Sequence, residues 1–441
     1  MLWSRGPSAL MLAMLVGACG ESAVAQDVGT LAAAGNADLQ KFLDMRSFVS
    51  RRNEQYYRIT TRRGIDEALY VPIGGIEQYI SIRGEDRDNP VILFLHGGPG
   101  DATNPWGYLA FRSWLKYFTV VQWDQRGAGR TLGKSGAVIA PTITVERMTQ
   151  DGVELADHLR KSLQKEKLIL VGHSWGSILG LSMAKARPDL FYAFVGTGQV
   201  ADGTRNYAVA YEALLRKARA LDEHSAIKEL LEIGPPPYPD FRGWSVQRKW
   251  SNLFEHADLF ISSMFGAALS APGYTFGDIN DWNAGQELSG RQLIPQTAKL
   301  DSKALGGQFA IPIFVIQGAE DFTTPTSLAK EFVTSLRAPH KAFVTIPGAG
   351  HFAVFMKSDE FLRELVARVR SFATKLRPVA ALVEPIASDR DTWIHLAAIS
   401  PILRANDSRI AEPSRLVKSA TATLLSGNQN SNADAPLCPP V

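Results

Sequence analysis

The stretch "LILVGHSWGSILG", residues 168–180, decides the fold of this 441-residue chain. A run of branched apolar residues stops at "GHSWG" (172–176), and a second apolar run follows directly. This order predicts a buried strand, a sharp turn and a helix. Such a turn crowds the positions two before and two after the serine, and Gly172 and Gly176 fit there because they have no side chain. The turn also lifts the Ser174 hydroxyl clear of the backbone. The alternative is an ordinary strand-to-helix crossing in which the serine has no chemical role.

Further apolar runs predict the rest of a sheet. They are continuous rather than alternating, which indicates parallel strands buried on both faces with helices between them. One earlier segment, "ALYVPIGGIEQYISIRG" (68–84), alternates around two glycines and predicts a β-hairpin. The fold class is therefore α/β, with a mostly parallel central sheet flanked by helices. The apolar runs end in Gly-rich or polar loops and lie in residues 90–100, 117–129, 167–176, 191–198, 311–321 and 341–351.

The region 201–300 interrupts this rhythm with helical patterns, several aromatic residues and a Pro-rich loop at 234–240. We interpret it as an inserted helical cap over the strand ends. The predicted organisation is a signal peptide (1–25), an N-terminal lead-in (26–64), the first part of the core (65–200), the cap (201–300), the second part of the core (301–377) and a weakly ordered C-terminal tail (378–441).

The N-terminus reads as an export signal. Arg5 precedes a short apolar core at 9–18, which is too short to span a bilayer. The small residues of 23–25 predict cleavage after Ala25 and a periplasmic or secreted protein. The alternative is a lipoprotein anchored through Cys19, without a stable membrane span.

Composition excludes several classes of function. The net charge of +3 and the absence of a dense basic block argue against a nucleic-acid partner. Only Cys19 and Cys438 are present, so a disulfide framework and a Cys-rich metal site are excluded. We expect no metal and no organic cofactor. The sequence gives no signal for the oligomeric state.

A reactive serine needs donors for the negative charge that develops on the attacked carbonyl. The Trp175 amide begins the predicted helix and can supply one of them. The second is expected from "HGGPG" (96–100), because residues without side chains allow a close backbone approach. Gly98 is the preferred donor and Gly97 the next choice.

The serine also needs a base and an acid that orients it. In sheets with this turn, the chain order is serine, acid, histidine. Among the histidines that follow Ser174, His351 comes directly after a strand and the "PGAG" turn, on the ligand side of the sheet. Asp321 ends the strand before it and is the expected acid. Its neighbour Glu320 is the alternative.

A different motif, "AGRTLGKS" (128–135), resembles a phosphate-binding loop. Ala128 stands where that pattern requires glycine, and no helix is predicted to begin at Ser135. The residues that follow, through 144, look β-like. Nucleotide hydrolysis is therefore disfavoured.

Five motifs together resemble the proline iminopeptidase branch of the α/β-hydrolase fold, over roughly residues 65–377. They are "HGGPG" (96–100), "DQRGAGRT" (124–131), "GHSWGS" (172–177), "GAED" (318–321) and "GAGH" (348–351). The resemblance implies cleavage of an N-terminal residue, typically proline, from short peptides or amides. It also implies the catalytic triad Ser174, Asp321 and His351 and the oxyanion donors Gly98 and Trp175.

The likeness is weaker in the cap. Members of that branch hold the substrate's amino group with cap glutamates, one of them directly after a tryptophan, and this chain has no Trp-Glu pair. The predicted function is an exported serine hydrolase that releases an N-terminal residue, preferably proline, from short peptides or amides. The alternatives are an esterase or lactonase on small carboxylic esters, and a non-catalytic binding protein of the same fold. Candidate substrate-binding residues in the cap are Glu212, Glu229, Glu232 and Glu255.

Overall fold

The computed structural model describes residues 29–203, 205–238, 241–297 and 307–374. The predicted signal peptide, Cys19 and the predicted C-terminal tail lie outside the described residues. The chain divides into two compact units. In its described part, the smaller unit consists of helix α1 (Gly29–Tyr56) and residues 270–273. Asn53 Nδ2 donates a hydrogen bond to the Ser270 carbonyl at 3.1 Å, and Ser50 Oγ donates one to the Ala271 carbonyl at 3.1 Å.

The larger unit is built on one eight-stranded sheet with the order β1-β2-β4-β3-β5-β6-β7-β8. β1 and β2 pair antiparallel, as do β2 and β4, and every other pair of neighbours is parallel. The predicted fold class is confirmed. The strands are β1 (Ile65–Ile73), β2 (Ile76–Gly84), β3 (Val91–Leu95), β4 (Thr119–Trp123), β5 (Leu168–His173), β6 (Phe191–Thr197), β7 (Ile313–Gly318) and β8 (Lys341–Ile346).

Helices connect these strands. Short 3₁₀ helices span Arg112–Lys116, Ala137–Thr142 and Pro188–Leu190. The remaining α-helices are α2 (Gly107–Ala110), α3 (Gly129–Ser135), α4 (Val145–Ser162), α5 (Trp175–Ala186), α6 (Asn206–Ala220), α7 (His224–Ile233), α8 (Phe241–Phe254), α9 (Ala257–Leu269), α10 (Phe276–Thr297), α11 (Thr326–Ser335), α12 (Ala353–Met356), α13 (Ser358–Arg368) and α14 (Arg370–Ala373).

Burial follows the sequence pattern in the centre of the sheet and departs from it at the edge. Every residue of β3, β4, β5 and β7 is buried, as their continuous apolar runs predict. β8 has an equally apolar sequence, but only Ile346 is buried, because an edge strand has a neighbour on one side only. The predicted hairpin is confirmed: β1 and β2 pair over their whole length, and Gly74 and Gly75 at its turn have φ of +57° and +79°.

Five helices, α6 to α10, lie between β6 and β7 in residues 206–297, and we call this segment the helical insertion. Its last helix packs on the loops that follow β3 and β4. Trp282 Nε1 donates to Asp101 Oδ1 at 3.1 Å, and Ser289 Oγ donates to the Gly127 carbonyl at 2.9 Å. The insertion is therefore held against the carboxyl ends of the strands.

The motif that resembles a phosphate-binding loop has a different structure. Residues 129–135 form helix α3, which ends at Ser135 instead of a helix beginning there. The β-like prediction for the residues after it is wrong, because Ala137–Thr142 is a 3₁₀ helix. The Ile143 amide closes its last turn by donating to the Ala140 carbonyl at 3.0 Å.

Candidate active site

Ser174 lies in a strained turn between β5 and α5. Its φ is +54° and its ψ −119°, a conformation that residues with side chains rarely adopt. A Cβ on Gly172 would lie 2.2 Å from the Gly176 carbonyl oxygen, and a Cβ on Gly176 would lie 2.1 Å from the Leu95 carbonyl oxygen. Both contacts are with backbone, so only glycine fits at either position. The turn thus exposes the serine hydroxyl at the carboxyl end of a central strand.

The structure brings the three predicted catalytic side chains into one hydrogen-bonded row. Ser174 Oγ lies 3.0 Å from His351 Nε2, and His351 Nδ1 lies 3.1 Å from Asp321 Oδ2. The row fits a neutral imidazole that donates Nδ1–H to the carboxylate and presents its Nε2 lone pair to the hydroxyl. Burial lowers the pKa of His351 well below its usual value, which favours this neutral form.

Asp321 is held by the turn in which it lies. Its Oδ1 accepts the amide N–H groups of Thr323 and Thr324 at 2.9 and 2.7 Å, and its Oδ2 accepts the Thr324 hydroxyl at 2.8 Å. Burial raises the pKa of Asp321 to about 7, and the bonds from Thr324 and Thr323 oppose that rise. The alternative acid, Glu320, instead pairs with Lys217 Nζ at 2.9 Å. Thr324 could not be singled out from the sequence as a partner of the acid, although an Asp with Thr residues two and three positions later is typical of such a turn.

His173, the residue before the nucleophile, also supports the site. It is buried, and its Nε2 lies 3.1 Å from the His351 carbonyl oxygen, to which the ring can donate. Burial lowers the pKa of His173 well below its usual value. The strand end that carries the serine is therefore tied to the backbone of the predicted base.

The loop predicted to complete the oxyanion hole lies beside the serine. A Cβ on Gly97 would come within 3.1 Å of Ser174 Cβ, so the loop backbone passes directly against the nucleophile. Among the described residues, the Gly98 N–H has no hydrogen-bond acceptor. Trp175 is the first residue of α5, where amide groups lack an intrahelical acceptor. Both predicted donors are thus available to a ligand.

His96 holds this loop in place. Its Nδ1 lies 2.9 Å from the Gly97 carbonyl oxygen, and its Nε2 lies 3.3 Å from the Gln125 amide nitrogen. This pattern fits a neutral ring that donates through Nδ1 and accepts at Nε2. Burial lowers the pKa of His96 to about 4. Gln125 continues the network by accepting the Trp175 indole N–H at 2.9 Å.

Asp101 adds a carboxylate that the sequence analysis did not name. Its amide donates to the Gly97 carbonyl at 3.3 Å, which ties it to the loop beside Ser174. Its Oδ1 accepts from Trp282 of the helical insertion at 3.1 Å. Burial raises the pKa of Asp101 to about 6. A charged residue directly after the Gly-rich loop was the available signal.

The four glutamates predicted to bind substrate all lie in the helical insertion, but they have different surroundings. Glu212 is exposed, Glu229 bonds Lys249 and Trp250, and Glu232 pairs with Arg242, so these three are engaged with solvent or with the insertion itself. Only Glu255 reaches the triad. It is 6% exposed, and its carboxylate accepts the His351 amide N–H at 2.5 Å. Burial and the Asp321 carboxylate raise the pKa of Glu255 to about 8.

The cationic side chain of Arg248 acts on the carboxylates of Asp321 and Glu255. Arg248 on α8 is partly buried, and its Nη1 donates to Thr323 Oγ1 at 2.8 Å. Its charge lowers the pKa of Asp321 and that of Glu255.

Within the described ranges, no group of three or more His, Cys, Asp and Glu side chains is placed to hold a metal ion. No helix in the same ranges is long and apolar enough to cross a membrane.

The fold and this site define a class of protein. Residues 90–358 match the family model described as the α/β hydrolase fold. The chain belongs to that family. Its similarity to aminopeptidases and proline iminopeptidases of the family identifies it as an aminopeptidase-like hydrolase.

Within the family, the chain is 30% identical over 300 residues to the probable aminopeptidase YbaC of Bacillus subtilis, covering 66% of this chain and 93% of that one. It is 33% identical over 316 residues to a probable proline iminopeptidase of Leptolyngbya boryana, covering 62% and 84%. A proline iminopeptidase-related protein from Thermus thermophilus has a similar fold, with a TM-score of 0.51 and 21% identity over 68% of this chain and 96% of that one. The predicted resemblance to proline iminopeptidases is confirmed.

Proposed function

We propose that the protein is a serine hydrolase in which Ser174, His351 and Asp321 form a catalytic triad. The observation that carries the proposal is the row itself, with 3.0 Å between Ser174 Oγ and His351 Nε2 and 3.1 Å between His351 Nδ1 and Asp321 Oδ2. Three residues far apart in the sequence meet in the order and geometry that nucleophilic catalysis requires.

In the proposed reaction, Ser174 Oγ attacks the substrate carbonyl carbon while His351 Nε2 takes the hydroxyl proton. Asp321 accepts the Nδ1–H and stabilises the imidazolium that forms. The amides of Gly98 and Trp175 donate to the oxyanion of the tetrahedral intermediate. His351 then returns the proton to the leaving group, which leaves an acyl-enzyme on the serine. Water, deprotonated by the same imidazole, releases the acid and restores the hydroxyl.

A fluorophosphonate probe tests the nucleophile directly, because it phosphonylates an activated serine whatever the natural substrate is. We expect rapid labelling of the wild type and none of Ser174→Ala. Ser182→Ala, on the same helix as Trp175, is the matched control and should label at the wild-type rate. A wild type that does not label, or a Ser174→Ala variant that labels equally, would favour the non-catalytic binding protein.

The proposed substrates are short peptides or amides from which an N-terminal residue, preferably proline, is released. The chain's similarity to a probable aminopeptidase and to a probable proline iminopeptidase supports this choice. Such a substrate brings an ammonium group, which needs a carboxylate beside the nucleophile. We assign that role to Asp101, whose Oδ2 has no hydrogen-bond partner among the described residues.

The substitution Asp101→Asn tests the assignment. We expect KM for a proline arylamide to rise by about tenfold or more, since a charge-assisted hydrogen bond is lost, while the fluorophosphonate labelling rate changes little. Glu232→Gln, a surface carboxylate of the insertion, is the control and should leave KM unchanged. An unchanged KM in Asp101→Asn would remove this carboxylate from substrate recognition.

A second candidate is hydrolysis of small carboxylic esters. The observation in its favour is that Glu212 is exposed, Glu229 and Glu232 pair within the helical insertion, and Glu255 uses both oxygens on backbone amides. Parallel assays with proline arylamide and a short acyl ester decide between the two. A fast ester beside an inert arylamide would refute the peptidase.

We also propose that the protein is exported and that its signal peptide is cleaved after Ala25. The support is the apolar core at 9–18 and the small residues that follow it. Intact-mass measurement of the mature protein tests this. A lipid-modified Cys19 at the N-terminus would establish the lipoprotein alternative, and an N-terminus at Met1 would contradict both.

A further inference from the structure

Glu255 connects the helical insertion to both loops that carry the acid and the base. It lies in the turn between α8 and α9 and is 6% exposed. Its Oε1 accepts the Phe322 amide N–H at 2.8 Å, and its Oε2 accepts the His351 amide N–H at 2.5 Å. Phe322 directly follows Asp321. One carboxylate therefore bridges the backbone of the loop after β7 and that of the loop after β8.

The Glu255 side chain leaves no room for a side chain at position 350. A Cβ on Gly350 would lie 2.4 Å from Glu255 Oε2, 2.5 Å from its Cγ and 2.6 Å from its Cδ. Gly350 has no positive φ, so crowding and not backbone conformation requires glycine there. The glycine that precedes the predicted base therefore makes room for the glutamate.

We propose that Glu255 is a positioning residue that sets the separation of the Asp321 and His351 loops, and that the insertion thereby controls the alignment of the triad. This inference rests on the proposed function of Ser174. Each side-chain oxygen of Glu255 already accepts a backbone N–H, and hydrogen bonds are directional, so the two bonds fix where each loop lies relative to the glutamate. The bridge orients the base through its backbone, because both carboxylate oxygens are used on amides of the two loops. Loss of the carboxylate would leave two buried amides without acceptors and free the two loops to separate.

The test compares the second-order rate constant of fluorophosphonate labelling in the wild type, Glu255→Ala and Glu255→Gln. We expect a loss of about a hundredfold for the alanine variant, since a misplacement near 1 Å costs about that much. The glutamine variant keeps one acceptor oxygen and should lie between the two. With an arylamide or ester substrate, kcat should fall while KM stays within about twofold of the wild type.

Glu229→Gln is the matched control, because Glu229 is a partly buried glutamate of the insertion that bonds Lys249 and Trp250 instead of the triad loops. It should label at the wild-type rate. If Glu255→Ala also labels at the wild-type rate while it melts at a lower temperature, the residue is merely structural and the inference is overturned. If the wild type itself does not label, the proposed function fails first.

Gly350→Ala supplies an independent route to the same bridge. Its new Cβ displaces the glutamate, so we expect slower labelling in the wild-type background. In the Glu255→Ala background the clash is gone, and the same substitution should cost little more. Such non-additivity is the signature of two residues acting through one contact. Additive losses would overturn the inference.

Discussion

Thr324 is the residue that most directly fixes the acid of the triad. Its hydroxyl donates to Asp321 Oδ2 at 2.8 Å, and its amide donates to Oδ1 at 2.7 Å. We predict that Thr324→Val, which keeps the shape and removes the hydroxyl, lowers kcat by about tenfold or more because the carboxylate loses its orientation. KM should change little, and the free energy of unfolding should fall by about 1 kcal/mol. Steady-state kinetics and urea unfolding measure both effects.

The matched control is Thr326→Val. Thr326 Oγ1 donates to the Gly318 carbonyl at 2.7 Å and is not among the hydrogen-bond partners of the Asp321 and His351 side chains. It should lose similar stability and retain kcat. Equal losses of kcat in both variants would show that Thr324 acts only on folding.

At this scale, the sequence could predict the residues that follow strands. Ser174, Asp321 and His351 each come after an apolar run, and the carboxyl ends of parallel strands meet at one edge of a sheet. Glu255 could be named only as one of four cap glutamates. Its bond to His351 spans 96 residues and depends on how the insertion packs, which no local pattern determines.

Among the elements, the crossing from β5 to α5 is closely packed. A Cβ on Gly172 would lie 2.2 Å from the Gly176 carbonyl oxygen and 3.0 Å from Ser177 Cα. We predict that Gly172→Ala lowers the free energy of unfolding by about 1–3 kcal/mol, since the backbone has to move. Labelling of Ser174 should slow because the hydroxyl moves with the turn. Urea unfolding and probe kinetics measure the two effects.

Gly290→Ala is the contrasting variant within α10. Its new Cβ would meet only Ile294 Cδ1 at 3.6 Å, an ordinary contact. Alanine in a helix interior should stabilise the protein by up to about 1 kcal/mol. If both glycines tolerate alanine equally, the close packing described for the turn is wrong.

The loops after β3 and β4 depend on the protonation state of His96. Its pKa is lowered to about 4 in the folded protein, whereas an unfolded histidine titrates near its usual value. Between these values the unfolded chain binds the additional proton, so the stability that His96 contributes is present above the usual value and lost as the pH falls. We predict a loss of about 2 kcal/mol from this residue between about pH 7.5 and about pH 5.

Urea unfolding of the wild type and His96→Asn at both pH values isolates that contribution. His173 and His351 also have lowered pKa values, but they are common to both proteins and cancel in the difference. The variant should therefore lose less stability on acidification. Identical losses of stability in the two proteins would mean that His96 is not the group whose protonation destabilises the fold.

At the scale of the whole molecule, the sheet brings the three triad residues together, and a second hydrogen-bonded network, which shares no residue with the triad, joins the β1–β2 hairpin to the elements packed beside it. Arg126 donates through Nε to Asp151 Oδ2 at 2.7 Å and through Nη2 to the Gly74 carbonyl at 2.7 Å. Gln78 Nε2 donates to the same Asp151 oxygen at 2.9 Å. One buried carboxylate thus links the β1–β2 hairpin, the loop after β4 and helix α4. The motif "DQRG" could be recognised in the sequence, but its partner on α4 could not.

A single change at Asp151 should therefore affect global stability strongly. Asp151 is fully buried and Arg126 is 3% exposed in its side chain, so Asp151→Asn leaves a buried guanidinium without its counter-charge. We predict a fall of about 3–5 kcal/mol in the free energy of unfolding. Asp157→Asn, on the same helix, breaks partly exposed pairs with Arg160 and Lys161 and should cost about 1 kcal/mol or less. Urea unfolding of both variants makes the comparison, and equal costs would mean that the buried pair contributes no more than a surface one.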